Sequence, residues 1–69
     1  MTYTPEDLIR AERHVAEGEQ HVARQEEIIT RLQLEGAYTA VAEQLLSEFR
    51  TTLKMHRRDR DRTAAELGR

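Results

Sequence analysis

With 69 residues, no cysteine and 11 Lys and Arg against 13 Asp and Glu, the chain has room for one domain and no disulfide. So short a chain buries only about 60% of the surface its unfolded form exposes; with disulfides and thiolate zinc frameworks gone, self-association is the expected staple. A net charge of −2, 35% charged residues and 4% aromatics call for no nucleic-acid or membrane partner and argue against a sheet, leaving long exposed helices.

Met1 is followed by Thr2-Tyr3-Thr4-Pro5, with no basic or apolar run, which predicts neither a signal peptide nor a transmembrane helix. A reducing cytoplasm is the expected compartment. Thr4 is a good N-cap, Pro5 suits the first helical position, and Glu6 and Asp7 set negative charge on the positive end of the helix dipole. Thr4 and Asp7 make a variant capping box, with Tyr3 and Leu8 at the positions of a hydrophobic staple. The first helix is therefore expected over about 5–35. Gly36 is its natural stop, the turn takes 36–39, and Thr39 can cap a second helix over about 40–67 that Gly68 ends.

Heptad spacing supplies the seam. In the first helix Leu8, Val15, Val22 and Ile29 alternate with Ala11, Gly18, Gln25 and Leu32. In the second, Ala42, Phe49, His56 and Thr63 alternate with Leu46, Leu53, Arg60 and Leu67, the apolar character fading toward the end. A short turn makes the partners antiparallel, so the fold class is all-α, an antiparallel two-helix coiled-coil hairpin. The pairing this predicts sets Leu32 against Ala42, Ile29 against Leu46, Gln25 against Phe49 and Val22 against Leu53. Further out, Gly18 faces His56, Val15 faces Arg60, Ala11 faces Thr63 and Leu8 faces Leu67. Gly18 costs roughly 1 kcal/mol relative to Ala inside a helix, so it needs a packing reason. It either leaves room for His56 or lets the helices approach closely. The same register brings Glu12 near Arg62, and Glu17 near Arg57 and Arg58.

A two-helix seam is narrow, and the chain carries more apolar surface than it uses. Val41, Leu45, Thr52 and Met55 flank the second seam; Ile9, Ala16, Ala23 and Leu34 form another stripe on the first helix, with Ile28 on the opposite flank. These residues are the candidate oligomer interface, and pairing of hairpins into a four-helix bundle homodimer is expected.

Site chemistry is sparse. His14, Glu17, His21 and His56 are the candidate metal ligands, but His14 and His21 stand roughly 10.5 Å apart along the axis and the inward carboxylates of bundle metal sites are missing. Flank contacts and a filled seam layer are the plainer roles, so no metal and no cofactor is expected. Residues 54–62 carry five cations, Lys54, Arg57, Arg58, Arg60 and Arg62, which could contact phosphates in a nucleic-acid-associated regulator. Asp59 and Asp61 break the run and no stacking aromatics accompany it, so an ion-paired solvated face is the stronger reading. Ser47 and the threonines have no nucleophile elbow, and no Gly-rich phosphate loop exists; no catalytic residue is assigned and no enzyme is expected.

The run Ala11-Glu12-Arg13-His14-Val15-Ala16-Glu17-Gly18-Glu19, continuing through His21-Val22-Ala23-Arg24-Gln25, with Leu45-Leu46 and Leu53-x-x-His56-Arg57, resembles small uncharacterised antiparallel coiled-coil proteins of alphaproteobacteria. The resemblance implies a stand-alone bacterial hairpin with no assigned activity, and no functional residues carry over from it. The expected function is a structural or protein–protein interaction module whose partner is itself or another protein.

Overall fold

The structure, a computed structural model, describes residues 2–68. Two α-helices, α1 (Pro5–Leu34) and α2 (Ala40–Leu67), fold back on each other. The contacts run in opposite senses along the two chains, Glu26 with Arg50 and Glu19 with Arg57, which makes the pair antiparallel. The rod measures 52 × 14 × 12 Å with a radius of gyration of 15.8 Å, against about 11 Å for a compact globule of this length.

Local chemistry explains the ends. The Thr4 side chain accepts from the Asp7 N–H at 3.2 Å, and the Asp7 carboxylate accepts from the Thr4 N–H at 2.8 Å, a complete reciprocal box. At the other end Gly36 has φ 69°, the left-handed value that L-residues resist. The Gly36 N–H bonds to Gln33 and the Ala37 N–H to Leu32, so two of the last carbonyls of α1 are satisfied by a Schellman turn. Glu35 is the cap rather than the last helical residue. Thr39 takes the N-cap position of α2, but its side chain makes no cap bond; its hydroxyl instead donates to the Glu43 carboxylate at 2.9 Å. Its backbone lies at φ −111°, ψ −4°, away from the extended conformation in which a threonine oxygen reaches the N–H two or three residues on.

The core is one thin line. Ala11, Val15, Gly18, Gln25 and Ile29 of α1 are buried, as are Leu46, Leu53 and Thr63 of α2. Leu8, Val22, Leu32, Ala42, Phe49, His56, Arg60 and Leu67 are half-buried. Its two polar members bond internally: Gln25 donates to the Ala42 carbonyl at 2.9 Å and Thr63 to the Asp59 carbonyl at 2.8 Å. Among the described residues no buried side-chain polar atom lacks a partner.

Several contacts have other partners than expected, while the ion pairs Glu19–Arg57 and Glu26–Arg50 keep close to the expected alignment. A Cβ on Gly18 would stand 3.1 Å from Leu53 Cδ1 and 3.7 Å from Leu53 Cα, so Leu53 rather than His56 sits over the glycine. His56 instead lies against His14, with ring centroids 5.1 Å apart. Phe49 stacks on His21 at 5.4 Å rather than facing Gln25, which reaches toward Ala42. Without a side chain at Gly18, Leu53 seats directly against the α1 backbone. Close approach, not room for an imidazole, is the role of Gly18.

Candidate interaction surface

The seam divides the hairpin into two flanks. Heptad geometry places Glu12, Glu19 and Glu26 on one side of the α1 seam and His14, His21 and Ile28 on the other. On α2 the corresponding sides carry Arg50 and Arg57, and Leu45 and Thr52. In an antiparallel pair like sides meet, which is what the contacts record. Arg50 reaches Glu26 at 2.9 Å and Arg57 reaches Glu19 at 3.1 Å, all four side chains exposed. Arg57 thus takes Glu19 rather than Glu17. On the opposite flank the contacts between helices are between rings, His14 with His56 and His21 with Phe49. His14, Gly18, His21, Phe49, Thr52 and His56 line a shallow groove there.

The two apolar stripes do not form one surface. Val41, Leu45, Thr52 and Met55 extend the imidazole flank outward along α2, where half-buried Ile28 lies on the same side of α1. Val41 is 78% exposed and Met55 63%. Ile9, Ala16, Ala23 and Leu34, all exposed, lie beyond the glutamates on the other side of the rod. The candidate interface residues thus lie on two sides of the rod, and one flat contact can use only one side. Tyr38, 83% exposed beside Val41, belongs to the surface of the tip. Periodicity passes over it, because it precedes the first turn of α2.

Elsewhere the surface is ordinary. Of the basic stretch, Arg57 is bonded to Glu19 and Arg60 to Asp61 at 2.9 Å, which takes two of the five cations into ion pairs. Ser47 stands exposed on regular helix. Among the described residues no three His, Cys, Asp or Glu side chains converge on a point able to hold a metal ion, so His14, Glu17, His21 and His56 do not form one site. Nor does any described helix have the length and apolar character to cross a membrane. Asp7 is the titratable group held clearly away from its ordinary value. The Thr4 backbone N–H keeps its carboxyl low against a smaller opposing effect of burial, and Arg10 at 3.3 Å acts in the same direction as Thr4.

No family model, curated protein or solved structure matches the chain.

Proposed function

We propose that this hairpin is a non-enzymatic, cytoplasmic protein–protein interaction module that pairs with a second copy of itself through the flank bearing Ile28, Val41, Leu45, Thr52 and Met55. The observation that carries the reading is the exposure of Val41, Leu45 and Met55 on the flank opposite the Glu19–Arg57 and Glu26–Arg50 ion pairs. Apolar side chains in a row on a chain whose own core is one residue wide are the usual mark of a contact surface. A second copy fits by charge as well as by shape. A two-fold axis along the rod lays α1 of each copy on α2 of the other, turns Leu45 toward the partner's Ile28, and sets Arg24 opposite the partner's Glu48. All neighbouring helices are then antiparallel, as in an up-down bundle. The capture of Arg57 and Arg60 by carboxylates favours this reading over a nucleic-acid-associated regulator using residues 54–62.

Light scattering over a dilution series, with urea unfolding at two protein concentrations, tests it. A mass of twice 8.1 kDa and a midpoint that rises with concentration are expected. A monomer whose stability ignores concentration overturns the reading.

A further inference from the structure

The seam changes character where it leaves the turn behind. Beyond Gly18 its layers hold Ala11, Val15, His56, Arg60 and Thr63, with Val15 the largest aliphatic side chain among them until Leu8 and Leu67. In that stretch two imidazoles from different helices face each other. His14 and His56 are both half-buried, with centroids 5.1 Å apart and ring planes at 48°.

That separation has a chemical meaning. An imidazole nitrogen binds zinc at about 2.0–2.1 Å with the ion on the extended line from the ring centre, so two imidazoles at a tetrahedral angle hold their centroids roughly 5.2 Å apart. The two rings are tilted, unlike His21 and Phe49, which stack with an interplanar angle of 19°. Each histidine also has a carboxylate one turn along its own helix, Glu17 after His14 and Asp59 after His56. Both carboxylates are exposed and, among the described residues, take part in no ion pair, so they are available to swing toward a cation.

We propose that His14 and His56 form an interhelical clamp for a borderline divalent transition metal ion, zinc being the probe, with water or a swung Glu17 or Asp59 completing the coordination. Two nitrogens are fewer ligands than a closed structural zinc site uses, so the site is a weak one, loaded at micromolar rather than trace metal. Its effect is to staple the half of the hairpin away from the turn, where the seam side chains are small, in the role that disulfides play in other chains of this size. His21, engaged on Phe49, takes no part. Both histidines lie on the flank proposed to pair with a second copy, so the mass is read alongside the metal's effect.

The test titrates zinc into the full chain after chelator treatment and reads the melting temperature, the bound stoichiometry and the mass. Metal at tenfold over its dissociation constant raises the folded-to-unfolded ratio about tenfold, which for a chain of this size is roughly 6–11 °C. One ion per hairpin and an unchanged mass are expected, with a cobalt derivative showing the intense visible bands of tetrahedral coordination. His14→Gln and His56→Gln each abolish the rise, and His21→Gln retains it. Should either clamp variant fold poorly, the cobalt spectrum and histidine proton shifts of the unaltered protein decide the matter. No rise at millimolar zinc, a rise that survives His56→Gln, one lost in His21→Gln, or a mass that doubles on loading would each overturn the proposal.

Discussion

On one flank of this hairpin Glu19 and Glu26 reach across to Arg57 and Arg50; on the other stand His14, His21 and Ile28 of α1 with Leu45 and Thr52 of α2. Both flanks border the same seam, yet the first is complete within the chain and the second is not. Exposed ion pairs contribute about 0.2–1 kcal/mol each and are screened by salt, so the charged flank selects an alignment without holding the fold. The apolar flank gains by leaving water, and it can do so only against another surface.

The contrast can be broken most sharply by putting charge on the uncharged side. Leu45→Glu with Met55→Glu is expected to weaken self-association roughly a hundredfold or more, since the pairing buries both faces together. Ala23→Glu on the opposite side should leave the mass seen by light scattering unchanged. If both variants dissociate equally, the flanks are not distinct. Next in size comes the glycine between them. Gly18→Leu drives a side chain into Leu53 and is expected to cost about 1–3 kcal/mol in urea unfolding. For Gly18→Ala, the 3.1 Å contact with Leu53 Cδ1 offsets a helix-propensity gain of about 1 kcal/mol, and the midpoint should barely move.

Smaller effects belong to the charged groups. Arg50→Ala removes the bridge to Glu26 and should lower stability by about 0.2–1 kcal/mol at low ionic strength, a difference that fades by 1 M salt. The smallest is at the cap. The Asp7 carboxyl is held below its ordinary value when folded, so its stabilisation is full above the ordinary aspartate range and is lost as pH falls through the lowered value. Circular dichroism of Asp7→Asn at decreasing pH should lack that last acid-side step while matching the parent chain's remaining titration.

Much of the architecture is legible in the residues because it is set locally or by period. Thr4, Pro5 and Asp7 announce a helix start from adjacent positions, and Gly36 announces the stop. Seam membership follows from the seven-residue repeat, which the solvent boundary enforces on each helix separately. The axial offset between the helices has no such periodic signature: shifting α2 by a turn keeps every apolar residue on the seam. The seating of Leu53 on Gly18 is a contact between distant residues, and so is the imidazole pair of His14 and His56, which becomes visible only once the helices are aligned. Likewise, a stripe drawn on each helix alone does not say on which side of the pair it ends up. Ile9 and Met55 read as equivalent until the antiparallel arrangement places them on opposite sides.

The turn at Gly36 also decides connectivity. Nothing stands within 4 Å of where a Cβ would lie there, so a substitution meets no neighbour and opposes only the φ of 69°. Were that dihedral to relax to a helical value, α1 and α2 would run on as one rod of roughly 95 Å. Two such rods lying antiparallel could make the same Gly18–Leu53, His14–His56 and Glu26–Arg50 contacts, each now between chains, because the seam does not distinguish a covalent neighbour from a separate molecule. Whether the helices of this seam come from one polypeptide or two, and hence whether it can exchange partners, rests on the five residues 35–39, with the left-handed Gly36 among them.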